Sequence, residues 1–355
     1  RLLPEPGDLR EPVRQQIAPL ARHPGQPRLG LAPLPGPLLL PGQLLLELFL
    51  PPLELIEPFG ALRLQIVGNG RVSAQPGGRT CAALCDLRVA PDAPLLLDLR
   101  FDLVDAEAGR RAFAAGHLPG AHYLHLDEDL CGSKRSADGV FHGRHPLPDR
   151  EVFAERLRRL GWTYARSVVC MDAGNAMFAA RAWWMLRWLG HEAVAVLDGG
   201  VAAWQAQGLP LTELATLPAE PAAPFPLREP AVRTIDKSGL RARLGRGRLV
   251  DARAGERFRG EVEPLDTQAG HIPGARNRPF ADNLGADGRF KPAAQLRGEW
   301  SALGVDAHSV HACGSGVSAC HNLLALSLAG LPIGTLYPGS WSEWSADPTL
   351  PMAKG

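Results

Sequence analysis

The hexapeptide GHLPGA at residues 116–121 decides the fold, because it recurs almost unchanged as GHIPGA at residues 270–275. Two other blocks repeat in the same order around it: DLR at 98–100 returns as DAR at 251–253, and the block at 198–204 returns at 338–344. A repeat of several ordered blocks is typical of a duplicated structural unit. The sequence therefore predicts two tandem domains that share one fold.

Each half alternates short apolar runs with segments that have a helical pattern of apolar residues. The predicted strands lie at 95–97, 167–170, 193–197, 248–251 and 309–312, and the predicted helices at 149–160, 179–189 and 292–303. Short, continuous apolar strands are typical of strands that are buried on both faces of a sheet. The expected fold is therefore α/β, with two domains that each consist of a mainly parallel sheet and helices on both faces.

Composition divides the 355 residues into four segments. Residues 1–78 are rich in Leu and Pro, so we expect a low-complexity, disordered extension or sequence translated upstream of the true start. Residues 79–212 form the expected N-terminal domain, and residues 233–355 the expected C-terminal domain. Residues 213–232 are rich in Pro and Ala, which is typical of an interdomain linker.

Charge and cysteine content limit the classes of partner and of structural site that the protein can have. Basic and acidic residues nearly balance, with 38 Lys and Arg against 37 Asp and Glu, so we expect no nucleic-acid partner and no acidic membrane surface. No apolar run reaches the roughly 20 residues that a membrane-spanning helix needs. The six cysteines form no Cys-x-x-Cys pair, so neither a structural zinc site nor a disulfide scaffold is expected.

The loop CGSGVSA at residues 313–319 carries the candidate chemistry, because it follows a predicted strand and precedes a helical pattern. Its glycines can adopt positive φ, so the loop can curl and direct several N–H groups at one atom. The helix N-terminus adds a positive potential, and such surroundings lower the pKa of a thiol and favour the thiolate. Cys313 is therefore the candidate nucleophile; the alternative is a buried, unreactive cysteine beside a flexible loop.

Alignment of the two halves puts Asp172 opposite Cys313, so the first loop has no nucleophile at that position. Cys170 lies two residues earlier, inside a predicted strand, where we expect it to belong to the core. The N-terminal domain is therefore expected to be non-catalytic and to supply one wall of the cleft.

With these motifs the chain resembles the two-domain rhodanese family of sulfurtransferases, from about residue 80 to its C-terminus. The resemblance rests on the Asp-x-Arg strand ends, the Gly-His-x-Pro-Gly-Ala turns, the Cys313 loop and the closing block GSWSEW at 339–344. It implies two tandem rhodanese-like domains, an active site between them, covalent transfer through a Cys313 persulfide, and no metal or cofactor. The loop residues expected to bind substrate are Gly314, Ser315, Gly316, Val317 and Ser318.

The sulfur donor is a small anion, so a cation should face Cys313. The resemblance assigns this role to Arg257 in the block GERFRG at 255–260, since a guanidinium can bind two oxygens at once. Arg100 and Arg253 are expected to pair locally at their strand ends instead. His117, in the first Gly-His turn, is a candidate for proton transfer.

Two departures from the family pattern concern the donor. Mercaptopyruvate enzymes carry a second Arg just after a Glu-Pro pair, where this chain has Leu265; Arg276 and Arg278 are candidates to compensate. Thiosulfate enzymes place Arg and Lys inside the Cys loop, where this chain has Gly314 and Ser315. The sequence therefore matches neither the mercaptopyruvate pattern nor the thiosulfate pattern completely.

The functional hypothesis is a sulfurtransferase that moves a sulfur from 3-mercaptopyruvate to a thiol or cyanide acceptor. The alternatives are thiosulfate as the donor, or a non-catalytic sulfur relay module. A Cys phosphatase is disfavoured, because its Cys-(x)5-Arg signature needs Arg where this chain has Ala319. A working thiolate fits a reducing compartment, so we expect a cytoplasmic protein.

Overall fold

The structure is a computed structural model that describes residues 66–67, 93–216 and 221–355. Of the extension predicted at 1–78, it describes the two residues Ile66–Val67, and the rest of that segment lies outside the described residues. The described part of the linker predicted at 213–232 contains no helix or strand, and β6 begins at Arg233 directly after it.

The N-terminal domain alternates strands and helices, as the sequence predicts. Its strands within the described residues are β1 (Ile66–Val67), β2 (Leu95–Asp98), β3 (Ala121–Tyr123), β4 (Val168–Met171) and β5 (Val194–Leu197). Its helices there are α1 (Ala108–Ala115), α2 (Leu126–Asp129), α3 (Arg150–Arg158), α4 (Met177–Trp188) and α5 (Gly200–Ala206). The α3 helix begins where expected because Asp149 accepts hydrogen bonds from the N–H groups of Glu151 and Val152.

The C-terminal domain repeats this plan. Its strands are β6 (Arg233–Thr234), β7 (Leu249–Asp251), β8 (Ala275–Asn277), β9 (Val310–Ala312) and β10 (Thr335–Leu336). Its helices are α6 (Lys237–Ala242), α7 (Gly255–Arg259), α8 (Ala293–Ala302), α9 (Ser318–Leu328) and α10 (Ser340–Ser345), with a 3-10 helix at Phe280–Asn283. Within the described residues, no helix combines the length and the apolar composition needed to cross a membrane.

The two sheets have equivalent strand orders, β1-β5-β4-β2-β3 and β6-β10-β9-β7-β8. Every pairing is parallel except that of β1, which runs antiparallel to β5. The α/β fold with two mainly parallel sheets is thus confirmed. One detail differs from the sequence expectation: β1 lies inside the segment expected to be a disordered extension, because its backbone pairs with the open edge of β5.

Helices cover both faces of each sheet. In β2, Leu97 joins an apolar cluster that includes Trp183 of α4, whereas its neighbour Leu96 joins the cluster of Trp204 in α5. This alternation is expected where consecutive side chains point to opposite faces. The predicted strands are mainly apolar for this reason.

The two domains share one core through α4 and α9, which pack against each other. Trp183 of α4 and Leu323 of α9 are fully buried members of the same apolar cluster. Each helix directly follows the loop at the end of its central strand, β4 or β9, so the packing brings the two loops together. His321 of α9 marks this contact, with Nε2 at 3.1 Å from the carbonyl oxygen of Asn175.

A buried Asp–Arg pair fixes the Gly-His turn in each domain. Arg100 binds Asp98 at 2.8 Å and donates to the carbonyl of Gly116 at 2.8 Å. Arg253 repeats this arrangement with Asp251 at 2.8 Å and the carbonyl of Gly270 at 2.7 Å. The expected local pairing of both arginines is confirmed, and it explains why the Asp-x-Arg and Gly-His motifs recur together.

The buried pair gives a prediction about stability. Arg100→Ala should destabilise the protein by roughly 3–5 kcal/mol, because it leaves the fully buried Asp98 carboxylate without its partner. The matched control is Arg111→Ala, which removes an exposed Asp105 partner and should change stability by roughly 1 kcal/mol or less. Thermal unfolding of both variants measures this difference; equal midpoints would contradict the structural role of Arg100.

Candidate active site

Cys313 follows β9 directly and lies at the base of the loop that leads into α9. Its side chain is almost completely buried, with 2% of the residue exposed. The backbone of the loop is fixed from the closing block: Trp341 N–H donates to the carbonyl of Cys313 at 2.9 Å, and Ser342 N–H to that of Gly314 at 2.9 Å. The closing block at residues 339–344 therefore holds the Cys313 loop in place.

Gly316 supplies a backbone contact to the sulfur of Cys313, the candidate nucleophile. Its N–H donates to Cys313 Sγ at 3.1 Å, which stabilises negative charge on that atom. Gly316 has a φ of 76°, and a Cβ at this position would lie 2.4 Å from the carbonyl oxygen of Pro338. Only glycine fits there, as the loop argument from the sequence requires.

The carbonyl of Gly316 is held by two donors. Arg181 of α4 donates to it at 2.9 Å across the domain interface, and Cys320 Sγ donates at 3.3 Å. Arg181 is fully buried and also donates to the carbonyl of His145 at 3.1 Å. The N-terminal domain therefore shapes the Cys313 loop although it carries no nucleophile.

Ser340 adopts a left-handed conformation for a chemical reason. Its φ is 53°, and the equivalent residue of the first domain is Gly200, with a φ of 55°. A serine is tolerated here because its hydroxyl accepts the N–H of Cys313 at 3.1 Å and donates to the carbonyl of Tyr337 at 2.9 Å. The buried N–H of Cys313 therefore has a hydrogen-bond acceptor.

The other described cysteines lack the features of a nucleophile. Burial raises the pKa of Cys131 to about 11 and that of Cys320 to about 12, and it also raises the pKa of Cys170. These three thiols stay protonated at neutral pH and belong to the apolar core. Cys170 occupies the core position that the sequence predicts for it.

Two arginines from different domains face the Cys313 loop at Gly314. A Cβ on Gly314 would lie 2.8 Å from Arg144 Nη2 and 3.5 Å from Arg257 Nη1. Arg257 is the residue predicted from the sequence, whereas Arg144 was not among the predicted site residues. A side chain at position 314 would displace these guanidinium groups, which explains the glycine at a position where thiosulfate enzymes carry a cation.

Carboxylates orient both arginines. Asp266 Oδ1 lies 2.9 Å from Arg144 Nε, and its Oδ2 lies 3.2 Å from Arg257 Nη2. Glu263 binds Arg257 Nη2 at 2.6 Å as well. Burial raises the pKa of Asp266, and Arg144 is the strongest influence opposing that shift.

His145 connects the two domains at Ser315. Its Nδ1 lies 2.7 Å from Ser315 Oγ, and its Nε2 lies 3.6 Å from Asp127 Oδ1, beyond hydrogen-bond distance. Burial, followed by the charge of Arg144, lowers the pKa of His145 from 6.5 to about 3. The imidazole is therefore neutral at physiological pH and is held in a hydrogen bond with the Ser315 hydroxyl.

The structure does not bring His117 to this site. His117 Nδ1 lies 2.9 Å from the carbonyl oxygen of Phe113, and its ring stacks on that phenylalanine with centroids 3.8 Å apart. His271 repeats both contacts with Phe258 in the second domain. Both histidines thus serve the Gly-His turns, and the imidazole at the loop is that of His145.

The other predicted residues have separate roles. Arg276 donates to the carbonyl of Leu303, and Arg278 pairs with Glu299, so neither compensates at the loop. Val317 and Ser318 begin α9, and their contribution to substrate binding stays a prediction. His145 and Arg144 were missed because their partners lie more than 100 residues away; the run Gly-Arg-His-Pro at 143–146 was the available signal.

Asp172 occupies in the first domain the place that Cys313 has in the second. Its carboxylate accepts hydrogen bonds from the N–H groups of Gly174, Ala176, Phe178 and Ala179, at 3.0–3.3 Å. The first loop therefore keeps the anion-binding shape but fills it with its own side chain. Burial raises the pKa of Asp172, and these four N–H groups oppose the shift.

The described residues contain one group that could hold a metal ion, remote from Cys313 in the sequence. Ligand atoms of Glu107, His125 and Glu128 lie within 4.8 Å of one another. Arg110 binds both carboxylates, and His125 Nδ1 accepts the N–H of Glu128. These contacts explain why the three side chains lie close together without a metal ion.

Comparison with known proteins identifies the family of both domains. Residues 85–207 and 236–347 each match the rhodanese-like domain family. The chain belongs to the rhodanese family. It is 51% identical over 270 residues, 74% of this chain and 92% of the relative, to a Pseudomonas aeruginosa protein named "Probable 3-mercaptopyruvate sulfurtransferase".

Two further rhodanese relatives bear on the donor and the fold. The Gallus gallus thiosulfate sulfurtransferase is 33% identical, over 70% of this chain and 85% of that protein. The crystal structure of SseA from Escherichia coli, described as a 3-mercaptopyruvate sulfotransferase, superimposes with a TM-score of 0.62 at 32% identity. This match covers 74% of this chain and 97% of SseA.

The close approach of Gly316 to Pro338 predicts that a side chain at this position reduces sulfur transfer. Gly316→Ala should abolish most sulfur transfer, because its Cβ would collide with Pro338 and turn the N–H away from Cys313 Sγ. Gly288→Ala is the matched control, since Gly288 has the same φ of 76° but no atom within 4 Å of an added Cβ. It should cost roughly 1–2 kcal/mol of stability and leave turnover intact. Equal turnover numbers in both variants would contradict the role of the Gly316 N–H.

The low pKa of His145 predicts a pH-dependent stability. In the unfolded chain this histidine takes up a proton below pH 6.5, whereas in the folded protein it does so only near pH 3. Its contribution is therefore present above pH 6.5 and is lost as the pH falls toward 3. As the pH is lowered from 6.5 to 4, the thermal unfolding midpoint of His145→Asn should rise relative to that of the wild-type protein. A midpoint difference that is constant over this range would show that His145 is not buried as a neutral group.

Proposed function

We propose that the protein is a 3-mercaptopyruvate sulfurtransferase that works through a persulfide on Cys313. The observation that carries the proposal is the buried Cys313 Sγ with the N–H of Gly316 at 3.1 Å, beneath the guanidinium groups of Arg144 and Arg257. Such a loop stabilises a thiolate before the reaction and a persulfide anion after it.

In the first half-reaction the Cys313 thiolate attacks the sulfur of mercaptopyruvate. The carbon–sulfur bond breaks, and its electron pair moves to the carbonyl to form the enolate of pyruvate. The proton of the donor thiol moves to the enolate carbon, so the products are the persulfide anion and pyruvate. The Ser315 hydroxyl, 2.7 Å from the neutral His145, stabilises the enolate oxygen and relays this proton in the proposed step.

In the second half-reaction a thiolate or cyanide attacks the outer sulfur of the persulfide. The sulfur–sulfur bond breaks and returns its electron pair to Cys313, which completes a ping-pong cycle. Arg257 binds the carboxylate of the donor during the first half-reaction. A reducing compartment such as the cytoplasm keeps the thiolate available between cycles.

Mercaptopyruvate is favoured over thiosulfate because the loop itself carries no cation. The two arginines above it are already paired with Glu263 and Asp266, so little net positive charge is left for a dianion. Thiosulfate would lose much of its hydration without full compensation, whereas mercaptopyruvate carries a single carboxylate that needs less positive charge, and its ketone can accept a hydrogen bond from a hydroxyl of the loop.

The donor assignment predicts the outcome of a steady-state assay. With cyanide as acceptor, the wild-type protein should show a higher kcat/KM for mercaptopyruvate than for thiosulfate. Cys313→Ser should abolish transfer from both donors, whereas Cys170→Ala, which removes a core thiol, should retain it. A preference for thiosulfate would refute the donor and keep the persulfide; turnover by Cys313→Ser would refute the mechanism.

A further inference from the structure

We propose that Arg144 is a specificity-determining residue that binds the carboxylate of the donor together with Arg257. The inference rests on the proposed function and adds to it the second cation that the sequence lacks at Leu265. It places half of the carboxylate site on the N-terminal domain, so that the anion is bound between guanidinium groups of both domains.

The first argument is position. Arg144 Nη2 lies closer to Gly314 than Arg257 does, with 2.8 Å against 3.5 Å to the place of a Gly314 Cβ. The main chain of Arg144 is fixed there, because its N–H donates to Ser342 Oγ at 3.1 Å. Gly143 permits this approach, since a Cβ there would lie 2.9 Å from the carbonyl oxygen of Gly339.

The second argument is the set of free donors. Arg144 uses Nε and Nη2 to bind Asp266, and Arg257 uses Nη2 to bind Glu263 and Asp266. Within the described residues, neither Nη1 has a hydrogen-bond partner. Both guanidinium groups therefore retain N–H donors for a ligand, which a purely structural ion pair would not require.

The third argument is charge. Three guanidinium groups and three carboxylates form one cluster beside the loop: Arg144, Arg253, Arg257, Asp251, Glu263 and Asp266. The cluster is neutral with Arg144 and carries one net negative charge without it. Loss of Arg144 would therefore repel an anionic donor and leave an uncharged donor unaffected.

The experiment uses two donors that differ in this one group. Mercaptopyruvate carries the carboxylate, and 1-mercaptopropan-2-one carries a methyl group in its place. Steady-state kinetics with cyanide as acceptor are measured for wild type, Arg144→Gln, Arg144→Lys and Arg135→Gln. Arg135 lies on the same segment but is exposed and donates to the carbonyl of Gly139, so it serves as the control.

For Arg144→Gln we expect kcat/KM for mercaptopyruvate to fall roughly 10- to 100-fold, the scale of one lost charge-assisted hydrogen bond, mainly through KM. The value for 1-mercaptopropan-2-one should be unchanged, and Arg144→Lys should show a smaller loss because it keeps the charge. The ratio of the two kcat/KM values does not depend on the fraction of folded protein, so a destabilised variant remains informative.

An equal ratio in wild type and both Arg144 variants would show that Arg144 only joins the domains, and would overturn the inference. A fall in the ratio for Arg135→Gln as large as that for Arg144→Gln would also overturn it. Failure of the wild-type protein to use mercaptopyruvate would instead refute the proposed function, and the inference with it.

Discussion

Both backbone groups of Gly316, its N–H and its carbonyl, are hydrogen-bonded, and the geometry of the site depends on these two contacts. Its N–H points at Cys313 Sγ, while its carbonyl accepts the fully buried guanidinium of Arg181 from the other domain. The same guanidinium binds the carbonyl of His145, which places the imidazole beside Ser315. Arg181 of the N-terminal domain therefore links the Cys313 loop to the His145–Ser315 pair, and this arrangement exists only where α4 and α9 pack together.

The duplicated domains use one loop shape for two purposes. In the second domain the loop directs an N–H at a sulfur atom that must carry a changing charge. In the first domain the Asp172 carboxyl group fills the equivalent space and accepts hydrogen bonds from four N–H groups. This internal ligand fixes the start of α4, the helix that carries Arg181. The first loop thus has a structural role, with Asp172 at the position that Cys313 has in the second domain.

The sequence could predict what depends on local pattern. Strand ends, the Gly-His turns, the Cys313 loop and Arg257 belong to short motifs. The structure places Arg257 beside the Cys313 loop and each Gly-His turn beside its Asp-x-Arg strand end. The contacts of Arg144 and His145 could not be predicted, because Asp266 and Ser315 lie 122 and 170 residues away and meet them only after the domains pack. His117 was the natural candidate because its motif is visible, but its turn lies elsewhere. The β1 strand was missed because a two-residue edge strand has no periodic signal.

The central claim is that Cys313, and no other cysteine, carries the transferred sulfur. The most direct test is peptide mass mapping of the wild-type protein after it has reacted with mercaptopyruvate in the absence of an acceptor, followed by a second mapping after cyanide is added. We expect the peptide that contains Cys313 and Cys320 to gain the mass of one sulfur atom, which its fragment ions place on Cys313, and to lose it with cyanide. The peptides of Cys131 and Cys170 should stay unchanged. A sulfur atom found on another cysteine, or a Cys313 peptide that gains no mass while pyruvate is released, would contradict the claim.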